Sequence, residues 1–167
     1  MSLTLEYFYQ KTNQNYNLNL LTDSVSLNKK ITWVYLLDDV HNSSFIRGGE
    51  LIITTGLITK SSQKLDHLIN EAYIKGACGA IINTGMYIKN VPSRIIEFGE
   101  ENNFPIFSMP WETHIADIMQ EYCNEIISEQ KVASLKNNVF LRSILHSSSS
   151  EDMQILSQFI GFRIAAS

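Results

Sequence analysis

The sequence predicts an α/β fold: a three-layer domain with a mostly parallel sheet, followed by a long C-terminal helix. Three observations carry the prediction. From Glu50 onward, short apolar runs alternate with amphipathic ones in the order strand, helix, strand, helix, strand; parallel pairing through crossover helices produces that order. The runs ELIITT, CGAIINT and FPIFS carry almost no charge, as expected of strands covered on both faces. Between Pro110 and Gly161 there is neither glycine nor proline, which predicts an uninterrupted helix over about 113–145.

Each element has its own signal. Residues 3–10 place Leu5, Phe8 and Tyr9 near one helical face, and the asparagine-rich stretch 11–19 reads as loop. A short strand is expected around 18–21. Residues 30–37, KITWVYLL, are β-branched and aromatic and read as a largely buried strand. In the helix expected over 62–75, Leu65, Leu68, Ile69 and Ala72 recur at i, i+3, i+4 and i+7. Ser61 or Ser62 is placed to cap it, and Gly76 stands where a left-handed terminal residue belongs. Strand 78–84, helix 93–102 after Pro92 and strand 104–108 complete the alternation.

The domain is expected to occupy residues 1–130. A helical connector and serine-rich linker would follow over 131–150, and 151–167 would begin a further domain. In the long helix, Ile118, Tyr122, Ile126, Val132, Leu135 and Val139 form an apolar stripe. Its three- and four-residue spacings are interrupted by the polar patch Ser128-Glu129-Gln130-Lys131 and make no unbroken heptad, which predicts a short homodimer contact, not a long coiled coil.

Composition narrows the function. The chain has 13 Lys and Arg against 17 Asp and Glu, a net charge of −4. That balance disfavours a self-sufficient nucleic-acid binder, which normally shows a basic face. No apolar run approaches the roughly 18 residues of a membrane span. Two separated cysteines, Cys78 and Cys123, suit a cytoplasmic location. His41, His67, His114 and His146 lack metal-ligand spacing, and no metal or cofactor is expected. Asp38-Asp39 ends a strand, where adjacent side chains diverge, so a shared acid/base role is disfavoured. No Walker loop, dinucleotide fingerprint or nucleophile elbow is present, and no catalytic residue is assigned.

The strongest site signal is a repetition. Three successive strands end in Thr54-Thr55-Gly56, Asn83-Thr84-Gly85 and Ser108-Met109-Pro110-Trp111-Glu112. Parallel strands would bring these ends to one edge, where α/β sheets bind ligands. Thr54, Thr55, Gly56, Asn83, Thr84, Gly85, Trp111 and Glu112 are therefore the candidate binding residues. The plainer alternative, ordinary strand-to-helix turns with Trp111 covering the core, stays open.

The ordered segments ITWVYLLDD, RGGELIITTG, GACGAII and NNFPIFSMPWET resemble the N-terminal domain of purine catabolism regulator (PucR-type) transcription factors. The resemblance spans about residues 3–130, and the tail LKNNVFLRSILHSSSSEDMQILSQFIGFR resembles the connector and next-domain start of such regulators. It implies a regulatory, signal-receiving module that meets DNA only through a C-terminal helix-turn-helix outside this sequence. The effector it suggests is a purine-degradation intermediate or nucleotide-like molecule. The order of strands also resembles, more faintly, the uridine-nucleotide-binding N-terminal domains of Mur ligases. The readings to be weighed are thus an effector-sensing, dimerising module, a ligand-free oligomerisation scaffold, and a nucleotide-handling enzyme domain.

Overall fold

The computed structural model describes residues 3–57 and 62–145. Two compact units divide the chain, Met1–Ile126 and Ile127–Ser167. Among the described residues the elements are α1 (Leu5–Tyr16), β1 (Asn19–Leu20), β2 (Trp33–Leu36), a 3-10 helix (Val40–Phe45), β3 (Glu50–Thr54), α2 (Ser62–Ile74), β4 (Gly79–Thr84), α3 (Ser93–Glu101), β5 (Ile106–Pro110) and α4 (Ile115–Leu145).

The sheet order is β1-β5-β4-β3-β2. Strands β2 to β5 are parallel and lie side by side in chain order. Only β1 runs antiparallel, pairing Asn19 with Ser108 and Leu20 with Phe107 at the edge beside β5. Crossovers between sequential parallel strands share one hand and therefore one face. The burial pattern agrees. Ile52, Ala80, Ile82 and Ile106 pack with Leu65, Leu68, Ile69 and Ala72 of α2 and Ile95 of α3. Leu51, Ile53, Ile81, Phe107 and Met109 point the other way, onto Leu5 and Phe8 of α1 and Ile118, Tyr122 and Ile126 of α4. Three layers result, as expected, with a separate core on each side of the sheet.

Several boundaries differ from expectation for identifiable reasons. Helix α1 continues to Tyr16 because Thr12 is buried on the same stripe as Leu5 and Phe8. It stops where Asn17 takes a left-handed conformation and Leu18 N–H reaches the Asn13 carbonyl. Strand β2 is shorter and less buried than KITWVYLL suggests, with Trp33 and Leu36 exposed. It is an edge strand, and β propensity does not distinguish an edge from a centre. Strand β5 begins at Ile106, one residue past Pro105, whose nitrogen cannot donate to a ladder. The candidate cap Ser61, the side chain of Ser62, the linker at 147–150 and residues 151–167 lie outside what is described.

The six-residue stripe assigned to a dimer contact divides. Ile118, Tyr122 and Ile126 are buried in the domain's own core, where the sheet needs a cover on its second face. They are thereby removed from any surface that faces a partner. Sequence periodicity marks an apolar stripe without saying which surface it meets. In the second unit Val132 is half-buried, Leu135 exposed and Val139 buried.

The α1–α4 seam is polar as well as apolar. The Phe8 and Tyr122 rings stack with centroids 4.3 Å apart. The buried Thr12 hydroxyl donates to the Phe8 carbonyl at 2.6 Å and lies 2.6 Å from the Tyr122 hydroxyl. With the Thr12 proton directed to the carbonyl, Tyr122 must be the donor to Thr12. Tyr16 donates to Glu121 at 2.7 Å, and Lys11 ion-pairs with Glu125 and Glu121. Burial and the Glu121 bond push the Tyr16 hydroxyl up to about 12.

The direction of this relay makes the two ends of it unequal. Thr12→Val strands a buried Tyr122 donor and is expected to cost about 1–3 kcal/mol. Tyr122→Phe leaves Thr12 still bonded to Phe8, and its loss should be smaller. Urea denaturation of both variants and of the double variant checks the order; a larger loss from Tyr122→Phe would reverse the proton assignment.

Candidate functional site

Parallel pairing places the carboxyl ends of β2 to β5 on one edge of the sheet. Thr54 pairs with Ile82, and Thr84 with Pro110. The three turns selected from sequence, at 54–56, 83–85 and 110–112, are thus neighbours. Their side chains are engaged very differently.

At the first turn the hydroxyls are already taken. Thr54 is fully buried; its Oγ1 donates to Asp38 Oδ1 at 2.9 Å and accepts from Gly56 N–H at 3.3 Å. Thr55 donates through its backbone N–H to Asp38 Oδ1 at 2.7 Å and through Oγ1 to Asp38 Oδ2 at 2.6 Å. Its Oγ1 also accepts from Leu57 N–H at 3.2 Å. Both threonines have donor and acceptor satisfied within the turn, and Gly56 is buried with them. These hydroxyls tie β3 to the end of β2. Asp39 has the separate task of capping the 3-10 helix through His41 N–H at 3.0 Å and His41 Nδ1 at 2.8 Å. The backbone bond from His41, then the one from its side chain, hold the Asp39 carboxyl below its usual range.

The second and third turns lie where a sheet of this topology is expected to open a crevice. After β4 the chain crosses to α3 on one face, and after β5 it enters α4 on the other. Such a reversal opens a gap between strand ends. Asn83 at the end of β4 is only 1% exposed. Its Nδ2 donates to the Pro110 carbonyl at 3.1 Å and the Met109 carbonyl at 3.4 Å, while its Oδ1 is buried without a partner. Thr84 Oγ1 donates to the Met109 carbonyl at 3.4 Å, and the Thr84 carbonyl accepts from Trp111 N–H at 2.7 Å. A Cβ on Gly85 would lie 2.9 Å from the Trp111 Cβ, and its φ of +133° is one that L side chains rarely adopt, so only glycine lets the strand ends approach.

Trp111 and Tyr87 meet edge-to-face at 5.3 Å, both partly exposed, and Glu112, next to Trp111 in the chain, is exposed. Tyr87 and Asp38 were absent from the sequence-selected set. Tyr87 lies two residues past Gly85 and Asp38 ends the preceding strand, so a wider window around each strand end would have included both. What the crevice offers chemically is a buried acceptor, an aromatic edge and a carboxylate, a set suited to a ligand with N–H donors.

Other reactive groups are dispersed. Cys78 lies at the opposite end of β4, and burial pushes its thiol up to about 12; burial also raises the half-buried Cys123. Among the described residues no three His, Cys, Asp or Glu side chains are grouped to hold a metal ion. No described helix is long and apolar enough to cross a membrane. A cavity of about 260 Å³ between α2 and α3 is lined by Ile69, Ile95, Phe98 and the Asp66–Arg94 ion pair.

Fold and site together define a three-layer α/β module with candidate binding groups at the ends of β4 and β5. The model of the purine catabolism regulatory protein-like family matches residues 9–126. The chain belongs to that family. The purine catabolism regulatory protein of Bacillus subtilis (strain 168) is 27% identical over 112 residues, covering 66% of this chain and 21% of the relative. The chain thus spans about a fifth of that relative's length. No solved structure gives a significant match.

Removing the carboxylate that ties the first turn should destabilise the fold without touching the crevice. Asp38→Ala is expected to cost about 2–3 kcal/mol, since it strands the buried Thr54 hydroxyl and the bonds of Thr55. Asp38→Asn keeps an acceptor for Thr54 and should lose less. Chemical denaturation of the two variants checks the ranking; equal stability of Asp38→Ala and wild type would remove Asp38 from this role.

Proposed function

We propose that this chain is the effector-sensing, dimerising part of a transcription regulator whose contact with DNA is made by another segment of a longer protein. Family membership supports the regulatory role, and the printed name of the B. subtilis relative supports purine catabolism as its setting. The observation that carries effector sensing is the buried, unpaired Oδ1 of Asn83. An acceptor left without a donor in a closed site costs about 1–3 kcal/mol, which a ligand N–H would recover. The same side chain grips the Met109 and Pro110 carbonyls, five to six residues before α4 begins. A ligand donor at Oδ1 would therefore act on the backbone that leads into that helix. Purine-degradation intermediates and nucleotide-like molecules, planar and rich in N–H groups, have the matching chemistry.

Dimerisation rests on the part of the stripe that is neither in the domain core nor buried, the half-buried Val132 and the exposed Leu135; Val139 is itself buried. A ligand-free scaffold is the second reading, favoured by that same exposed leucine. For catalysis, no nucleophile–base pair is assigned among the described residues.

Thermal-shift and calorimetric titration with xanthine, urate, allantoin and purine nucleotides should single out one class that raises Tm. Asn83→Ala and, separately, Trp111→Ala should abolish that response. Absence of any response from the folded wild type, or an undiminished response in both variants, would refute sensing at this crevice. In sedimentation velocity the wild type should be a dimer that Leu135→Glu dissociates; a wild-type monomer at high concentration would refute the helix contact, and a dimer blind to every compound would favour the scaffold.

A further inference from the structure

The run Arg47-Gly48-Gly49-Glu50 lies at the opposite end of the sheet from the crevice, at the start of β3. Three of its four residues have clear local work. Gly48 and Gly49 adopt φ of +105° and +82°, and a Cβ on Gly49 would meet Thr32 Cγ2 at 2.7 Å. Gly49 N–H donates to the Gly76 carbonyl at 2.7 Å. The buried Glu50 carboxylate accepts Arg47 N–H at 2.8 Å and Gly48 N–H at 2.7 Å, one on each oxygen. The first bond ties the loop to the turn after α2 and the other two occupy the Glu50 carboxylate with backbone donors, while Thr32, just before β2, donates to the Gly49 carbonyl at 2.9 Å and the Gly48 carbonyl at 3.0 Å.

Arg47 is the exception. Its backbone N–H is used, but among the described residues no hydrogen bond or ion pair engages its guanidinium. The side chain is exposed and lines a cavity of about 430 Å³ together with Thr32, Trp33, Tyr35, Phe45 and Glu50. Two walls of that cavity are large aromatics left open to solvent, Trp33 at 41% and Phe45 at 68% exposure. Exposed aromatics grouped in one place mark recognition surfaces. The volume lies within the range of small-molecule sites.

The chemistry of the lining selects the ligand. A guanidinium presents a planar fork that matches a carboxylate or phosphate, and the aromatic faces suit a flat ring. The chain as a whole is acidic, with net charge −4, so attraction of an anion here is local to Arg47 and not a property of the surface. We propose that the cleft at the start of β2 and β3 binds a planar aromatic anion, its charged group on Arg47 and its ring between Trp33 and Phe45. This site is independent of the Asn83 crevice.

The probes that separate charge from ring are 2-naphthoate and its neutral amide, 2-naphthamide, titrated into the full chain and followed by 1H–15N NMR. The expected result is saturable movement of the Trp33 indole and Gly48 amide resonances with 2-naphthoate. The amide should bind at least about tenfold more weakly, about 1.4 kcal/mol. Arg47→Met should remove that preference, and Phe45→Ala should weaken both probes. Arg47→Met keeps the backbone N–H that Glu50 holds, so its fold is expected to persist. No saturable movement up to the solubility limit, equal binding of acid and amide, or an unchanged preference in Arg47→Met would overturn the proposal. So would movement of the Trp33 indole on simple dilution of the protein, which would make a second copy the occupant.

Discussion

A parallel sheet must be covered on both faces, and strands that follow one another in chain order put all their crossovers on one of them. That constraint shapes the rest of this molecule. Helices α2 and α3 and the 3-10 helix serve one face, so the other has to be closed by the elements before and after the alternation. Helix α1 and the first turns of α4 do so, meeting at Phe8, Thr12 and Tyr122. The same constraint creates the crevice: the chain changes face only after β5, so β4 and β5 are the neighbouring strands whose exits diverge. The candidate site is thus a consequence of topology before it is a matter of particular side chains.

Polar satisfaction then decides which of the strand ends is available. Thr54-Thr55-Gly56 and Asn83-Thr84-Gly85 look alike as sequence, each a pair of small polar residues and a glycine. In the fold the first pair surrounds the Asp38 carboxylate with three donors, whereas the second leaves a carbonyl oxygen of Asn83 buried and unpaired. A closed network rigidifies a turn, whereas a buried polar atom without a partner costs stability until it is paired. The N-terminal edge repeats the contrast in miniature. Glu50 is engaged by the backbone of its own loop, whereas the guanidinium of Arg47, three residues away, has no hydrogen bond or ion pair among the described residues.

Reading these differences from sequence alone meets a physical limit. The helical stripe Leu65, Leu68, Ile69 and Ala72 was legible because periodicity is local, and the structure buries all four. The strands ELIIT and GAIINT were legible because a centre strand has nothing but apolar neighbours. The burial of β2 was not, since its composition is that of a centre strand while its position is an edge. The end of α1 was missed because an asparagine-rich stretch suggests a loop, although Thr12 extends the buried stripe and only Asn17 breaks it. In the long helix, periodicity found the stripe but assigned it to a partner; half of it closes the domain's own second face.

The sequence by itself determined the class of fold, the order of its layers' elements and the three turns that meet at one edge, because these follow from short-range patterns of hydrophobicity, glycine and proline. It also carried the family, through an ordered set of short motifs. Only the tertiary structure decided that Asp38 binds the hydroxyls of the first turn, that the Asn83 Oδ1 is buried without a partner, and that the Arg47 guanidinium lines a cleft with Trp33 and Phe45 and has no ion pair among the described residues. Those facts depend on which distant groups come within hydrogen-bonding reach of one another, and that distance is set by the packing of the whole sheet.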